Sequence, residues 1–408
     1  MLAVPPLVAI LILASANPHR ALALGCDQSK DGAACPGGQQ RDRPQFLSRR
    51  HKGYSNDLSR SLVRSGVALP KTASLSPVSL PMTRRPVTKL VGGASQPTAA
   101  LPSADVNVTI GSGQIIPVQI DTGSSDLWVP GPNCRSADSS CRFGEAEANI
   151  LDSAMQSTNM PFFIPYGTGN VSGVVYSGTY GFAGVTGSGY FGVSRVENQD
   201  PYGILGLGFP PIATIPREVP AAQVIGLRSF GCYFPLPTTT TSGSLSINTL
   251  DPTFFIPPMA FEPVNPALGF WGFNILQGTW HLEGGAFSYP PVSRGSLVGT
   301  SAVTHAVADT GSTNISLSPD VFASILQAIG GWFDVNGNAW IACSTASDGP
   351  AVVFTFSSTP YAVPASGYVN PGIRLGPWCG LGINGAAAGA ISEAIFGDVF
   401  LRYWYQVR

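Results

Sequence analysis

Asp-Thr-Gly-Ser stands twice in this chain of 408 residues, at Asp121–Ser124 and at Asp309–Ser312. Each copy follows a short apolar approach, Ile115–Ile120 in one case and Ala306–Ala308 in the other. Two copies in halves of similar size suggest a duplicated lobe, each lobe offering one carboxylate to a shared cleft. Two carboxylates held close together cannot both ionise cheaply, so such a pair keeps one proton. That supplies a base and an acid from one residue type, which is what attack of water on a peptide carbonyl requires. The neighbours suit the task. Gly123 and Gly311 permit a tight loop that turns each Asp toward the cleft. Thr122 and Thr310 carry hydroxyls able to bond across the junction of the lobes, and Ser124 and Ser312 can donate to the outer carboxylate oxygens. One copy alone would read as an Asx turn closing a hairpin; a second copy makes that reading poor.

Other chemistries find less support. His281 and His305 are the histidines of the main body, and neither has a second His at metal-ligand spacing, so no metal is expected. A Gly-x-Ser-x-Gly elbow is absent. Gly187, Gly189 and Gly192 match a dinucleotide fingerprint, but they lie between strand-like runs with no helix after them and read as turn glycines. No organic cofactor is expected either.

The elements that must carry the paired loops read as strands. Gly 48, Pro 36 and only 11% charged residues accompany short Val, Ile, Thr, Phe and Tyr runs bounded by Gly and Pro. This is the pattern of a large all-β protein. No apolar run reaches the roughly 18 residues that would span a bilayer. The helix expected with most support is 319–329, with Ser318 as N-cap, Pro319 at the first position, a face of Val321, Phe322, Ile325, Leu326 and Ile329, and Gly330 as the stop. Residues 1–16 are apolar and end in Ala14-Ser15-Ala16, the form of a secretory signal with a small-residue cleavage site. Residues 27–90 hold 12 Lys plus Arg against 4 Asp plus Glu, while residues 91–408 hold 9 Arg, no Lys and 19 Asp plus Glu. The expected organisation is therefore a signal peptide (1–16), a basic propeptide (17–90) and two lobes (91–258 and 259–408), with Pro257-Pro258 at their junction. The propeptide would dock its positive charge on an acidic cleft as an intramolecular inhibitor and let go on acidification. An acidic body disfavours nucleic acid as a partner. Cys134 with Cys141, and Cys343 with Cys379, read as loop-closing disulfides of an oxidising compartment, and Cys26 with Cys35 as a third; Cys232 is left as a buried free thiol.

Asp121-Thr122-Gly123-Ser124-Ser125-Asp126-Leu127-Trp128-Val129-Pro130 resembles the active-site strand of the pepsin-like aspartic proteases. Tyr166-Gly167-Thr168-Gly169 resembles the flap of that family. Ile204-Leu205-Gly206 and Ile395-Phe396-Gly397-Asp398 resemble its paired hydrophobic-Gly elements, and Ala308–Thr313 its second active-site loop. The likeness covers about residues 105–408, and both later cysteine pairs fall where the family has disulfides. It implies a bilobal fold of two related β-barrel-like lobes with a cleft between them, and an acid-active endopeptidase made as a secreted zymogen, or kept in an acidic vacuole, acting as a monomer on proteins or peptides. Asp121 and Asp309 would activate water. Tyr166 would close over the peptide with its hydroxyl bonded to the Trp128 indole. Gly167, Thr168 and Gly311 would give main-chain contacts, with large apolar side chains preferred on both sides of the cleaved bond. The alternative is a relative that binds peptides without turning them over. Two departures stand out: Gly111-Ser112-Gly113-Gln114 replaces the family's Gly-Thr-Pro turn, and a closing strand beyond Tyr403-Trp404-Tyr405 is missing, which predicts an open sheet edge.

Overall fold

Short apolar runs punctuated by Gly and Pro become strands almost throughout. The computed structural model describes residues 10–16, 78–82, 88–91, 94–97, 105–132, 134–135, 147–167, 169–198, 203–215, 220–221, 227, 229–236, 243–285, 293–299, 304–386 and 394–408. From the early part of the chain come β1 (Ile10–Ala16) and β2 (Val78–Met82). The first lobe is built from β3 (Asp105–Ile110), β4 (Gln114–Asp121), β5 (Leu127–Val129), β6 (Met155–Tyr166), β7 (Gly169–Phe182), β8 (Val185–Glu197) and β9 (Ile204–Gly206). Then follow β10 (Phe230–Tyr233), β11 (Gly243–Ile247) and β12 (Phe255–Pro263). The second lobe contributes β13 (Gly272–Asn274), β14 (His305–Ala308), β15 (Ile315–Leu317), helix α1 (Pro319–Ala328), β16 (Ile383–Gly385), β17 (Ala394–Phe396) and, last, β18 (Trp404–Val407).

The duplication inferred from the repeated motif is present in the strand pairing. In the first lobe β4 lies antiparallel to β3 and parallel to β9, β9 antiparallel to β5, and β5 parallel to β8. In the second, β14 lies antiparallel to β13 and parallel to β17, β17 antiparallel to β15, and β15 parallel to β16. Parallel pairs need a crossover rather than a hairpin, so finding the same two in the same places is a strong mark of common architecture. Each set delivers one Asp-Thr-Gly-Ser loop at the end of its central strand. Strand β4 shows why it holds that place: Ile116, Val118 and Ile120 alternate into the core and are fully buried.

Helix α1 forms where the apolar period predicts it, burying Val321, Phe322, Ile325, Leu326 and Ala328. Gly330 ends it with φ +80°, a backbone state that glycine adopts without steric cost. Ser318 differs from expectation. It occupies the N-cap position, but its buried hydroxyl makes no cap hydrogen bond.

A six-stranded sheet joins the lobes in the order β12-β1-β18-β10-β11-β2. This changes one expectation. The open edge predicted for the end of the chain is filled: β18 pairs with β10 on one side and β1 on the other. Strand β1, read from sequence as a signal segment, runs antiparallel to β12 from Ile10↔Pro263 to Ala16↔Phe255, and to β18 from Ile12↔Val407 to Ser15↔Trp404. Residues 78–82, inside the expected propeptide, form β2 on β11, and Met82 is buried in the main core. The expected lobe junction at 257–258 falls within β12. Cys343 and Cys379 form a disulfide, Cys134 is disulfide-bonded, and Cys232 is free and buried in β10; Cys26, Cys35 and Cys141 lie outside the described residues.

Strand β1 has a ladder on both sides, and proline in such a strand removes a hydrogen bond that no neighbour replaces. In the full-length chain, Leu13→Pro is expected to lower the thermal midpoint by at least about 2 °C. Calorimetry showing an unchanged midpoint would mean that β1 is not part of the folded body.

Candidate active site

The two motif loops meet at the seam between the lobes, held by four crossed hydrogen bonds. The Thr122 N–H donates to Thr310 Oγ1 at 3.1 Å and the Thr310 N–H donates to Thr122 Oγ1 at 3.0 Å. Each hydroxyl then donates to a carbonyl of the opposite lobe: Thr122 Oγ1 to Ala308 at 3.0 Å and Thr310 Oγ1 to Ile120 at 3.0 Å. Both threonines are shut away from solvent. A threonine hydroxyl has one proton to give and lone pairs to offer, so each uses both capacities here, and the set is reciprocal.

The carboxylates sit just beyond this knot. Asp121 Oδ1 accepts the Gly123 N–H at 2.7 Å and Oδ2 accepts the Ser124 hydroxyl at 2.5 Å. Asp309 repeats the pattern with the Gly311 N–H at 2.8 Å and the Ser312 hydroxyl at 2.6 Å. The glycines matter for space. A Cβ on Gly123 would stand 2.6 Å from Asp309 Oδ1, and a Cβ on Gly311 would overlap Asp121 Oδ1. Each glycine therefore lies against the other lobe's carboxylate, which is how two acidic side chains come within reach of one another. Burial pushes the Asp121 carboxyl well above the usual range, and the charge of Asp309 adds to the push; the Ser124 and Gly123 donors oppose it. The arrangement can hold one proton between two carboxylates and bind a water on them.

Behind each loop the hydrophobic-Gly element does the holding. The Leu207 N–H donates to the Asp121 carbonyl at 2.7 Å and the Asp309 N–H donates to the Phe396 carbonyl at 3.1 Å. Gly206 stands opposite Asp121 in the parallel ladder, and Phe396 opposite Ala308. Strands β6 and β7 make a hairpin whose last register pair is Tyr166↔Gly169. At its tip the Trp128 Nε1–H donates to the Tyr166 hydroxyl at 2.8 Å, as the family resemblance implies. Tyr166 packs on a buried cluster of Trp128, Phe162, Ile164, Ile204 and Ile215. Gly167 is exposed at the tip; Thr168 lies outside the described residues.

Two residues to which the sequence reading gave no role also build the site. Asp126 is buried and accepts the N–H groups of Thr214 and Ile215 at 2.9–3.0 Å, tying the segment after β9 to the first motif. Its place in the run Asp121–Pro130 that carries the family resemblance was the signal. Trp271 donates from Nε1 to the Leu207 carbonyl at 2.8 Å, and its own carbonyl accepts the Ala308 N–H at 3.2 Å. No local pattern marks it, because both partners are distant in sequence.

Thr122→Val removes one buried donor and leaves the Thr310 N–H without its acceptor. Urea unfolding is expected to show a loss of about 2–4 kcal/mol, from the bonds lost and the group left unpaired. Thr122→Ser, which keeps the hydroxyl, should lose under about 1.5 kcal/mol. Equal losses for the two variants would show that the methyl group, not the crossed hydrogen bonds, carries the stability.

Comparison with known proteins agrees with this geometry. A family model described as eukaryotic aspartyl protease matches residues 105–407. The chain is 28% identical over 332 residues to pepsin A of Suncus murinus, covering 77% of this chain and 80% of that protein. It is 30% identical over 318 residues to rhizopuspepsin-3 of Rhizopus niveus, covering 74% of each. To cathepsin E of Rattus norvegicus it is 29% identical over 320 residues, covering 74% of this chain and 75% of the other. The matched span takes in both motif loops, the flap hairpin and the strands that carry them, so the chain belongs to the eukaryotic aspartyl protease family and is an aspartic-type endopeptidase.

Proposed function

We propose that Asp121 and Asp309 are the reacting pair and that they work as one acid and one base around a bound water. The observation that carries this is the reciprocal fit of each glycine against the opposite carboxylate, locked by the threonine bonds. In the first step the ionised carboxylate takes a proton from the water as its oxygen bonds to the peptide carbonyl carbon. The carbonyl π electrons move to oxygen, which takes the proton of the other carboxyl. In the second step the C–N bond breaks, its electrons stay on nitrogen, and the nitrogen takes up the pair's proton, while one hydroxyl of the diol gives its proton to the other carboxylate and its O–H electrons reform the C=O bond. The product is an acid and an amine, and the pair again holds a single shared proton.

The substrate is read as an extended strand lying between the flap and the second loop. Gly167 at the exposed tip, with Thr168, and Gly311 on the far side provide main-chain groups for it. Tyr166, anchored by Trp128, closes over it and excludes bulk water. The apolar cluster beneath the flap supports a preference for large apolar side chains beside the cleaved bond. The chain is made as a zymogen, with the basic leader covering the acidic cleft until acidification weakens the attraction. The Cys343–Cys379 disulfide and the bonded Cys134 support passage through an oxidising compartment, by secretion or into an acidic vacuole. The apolar segment ending in Ala16 is the export signal of this scheme, and its removal would take β1 out of the sheet.

Turnover of a quenched apolar peptide after acid treatment tests the scheme. A bell-shaped pH dependence on the acid side of neutral is expected: its acid limb is the pair losing its first proton, its alkaline limb the loss of the shared one. Asp121→Asn should cut kcat by about 10²- to 10⁴-fold and leave the proform uncut. Tight binding of pepstatin by the wild type with no turnover would leave only a peptide binder.

Stability should follow the same acid bias. Burial first of all raises Asp121, Asp398 and Glu262 above the ordinary carboxylate range. A carboxyl raised in the folded state binds its proton more tightly there than in the unfolded chain. Its contribution is complete below the unfolded value of about 4 and is lost as pH rises through the folded value. The thermal midpoint is thus expected to fall steadily from about pH 4 through neutrality, and less steeply in Asp121→Asn. A midpoint that rises over that range would contradict the assignment of raised values.

A further inference from the structure

Behind the Asp309 loop lies a cation that the hydrolytic scheme does not use. Arg408 follows β18 and is only 5% exposed. Its backbone is locked to Phe230, each N–H meeting the other's carbonyl at 2.8 Å. The guanidinium carbon lies 5.8 Å from the ring centroids of both Phe230 and Trp271. Nη2 donates to the Ala308 carbonyl at 3.1 Å, while Nε and Nη1 have no hydrogen-bond partner among the described residues. A buried guanidinium held by two aromatic faces and one carbonyl, without a hydrogen-bonded carboxylate, is an unfavourable group to place in a core. Its location is informative, because the Ala308 carbonyl is the same one that accepts the Thr122 hydroxyl from the other lobe.

The contacts close into a circuit around both motif loops. Arg408 holds the Ala308 carbonyl and stacks on Trp271; the Ala308 N–H donates to the Trp271 carbonyl. The Trp271 indole holds the Leu207 carbonyl, and the Leu207 N–H holds the Asp121 carbonyl. We propose that Arg408 is a positioning residue for the reaction: it fixes the carbonyl that anchors the crossed threonine bonds, and its buried charge steadies the negative charge that the carboxylate pair must carry.

Two groups act on that charge electrostatically, Cys232 and Asp309. Cys232 lies on β10; burial pushes that thiol up to about 12, so it is neutral at acid pH. Asp398 acts on Cys232, is itself pushed up by burial, and has Arg402 as its own cation. Phe230 and Trp271 are uncharged. Burial draws the guanidinium itself down only to about 10, so it stays charged wherever the enzyme works.

This inference rests on Asp121 and Asp309 being the reacting pair, and the test separates the two. Arg408→Met and Arg408→Lys are compared with the wild type in the full chain, with kcat, KM, the pH profile of kcat/KM and the thermal midpoint measured for each. A cation favours the ionised forms, so its loss should move both limbs of the profile to higher pH, by about 0.5–1 unit in Arg408→Met. Arg408→Lys keeps the charge and should keep the limbs in place, while the loss of the planar guanidinium held over Phe230 and Trp271 lowers kcat by roughly tenfold with KM little changed. If Arg408→Met merely melts earlier, with wild-type limbs and kcat, the residue is a core filler and the proposal fails. If Arg408→Met does not fold, displaced limbs in Arg408→Lys overturn the electrostatic part, and an unchanged kcat there overturns the positioning part. A wild-type chain with no turnover would sink this inference together with the reading of the pair.

Discussion

Two threonine hydroxyls, each giving a proton to one lobe's carbonyl and taking one from an amide across the seam, set the distance on which all the chemistry turns. Hydrogen bonds lose strength steeply with length and angle, so four of them arranged reciprocally admit very little sliding of one loop past the other. The constraint is needed because the two carboxylates repel whenever both are charged, and nothing in their own side chains would bring them together. Gly123 and Gly311 turn the constraint into proximity: any side chain at either position would occupy the space the opposite carboxylate uses. The flanking Ser124 and Ser312 hydroxyls and the glycine N–H groups then orient the oxygens. Position comes from the threonines, clearance from the glycines, and orientation from the serines.

The electrostatics favour acid conditions at every level. Burial raises Asp121, and the neighbouring Asp309 raises it further. Asp398, the first residue of the short helix Asp398–Leu401 after β17, is pushed the same way by burial, as is Glu262, which the Ser357 and Tyr361 hydroxyls hold. Each of these groups holds its proton more tightly in the folded molecule than in the unfolded chain.

Much of the site was legible in the sequence because its signals are local. A repeated four-residue motif with apolar approaches places both carboxylates, and Trp128 and Tyr166 meet as the family likeness implied. Helix α1 follows from a period that any apolar face must show. What stayed hidden depends on pairing between distant segments. Residues 10–16 and 78–82 have strand-like composition, but nothing within them says that they will lie in the sheet joining the lobes, on β12 and β18 in one case and on β11 in the other. The same holds for Asp126, Trp271 and Arg408, whose roles are defined by partners 64 to 100 positions away. The Ser318 cap failed for a related reason: the local rule for capping assumes a hydroxyl facing the helix end, and burial within the lobe leaves this one without that bond.

The joining sheet explains how stability and catalysis are coupled in such a molecule. Strand β18 lies inside it, paired through Gln406 and Val407 with β10, and the next residue, Arg408, reaches the carbonyl beside Asp309. Strand β10 in turn leads, through the Phe230 ring, to Trp271 at 5.6 Å and so to the first motif loop. A shift of β18 by a fraction of an ångström would be felt at both carboxylates, because every link in that path is a hydrogen bond or a ring contact in a close-packed interior. Rigid packing of the sheet is therefore what lets two lobes from distant parts of one chain present their acids as a single unit. Changes at the sheet should appear first in the chemistry of the pair, before any wholesale unfolding, since the threonine bonds tolerate less displacement than the core as a whole.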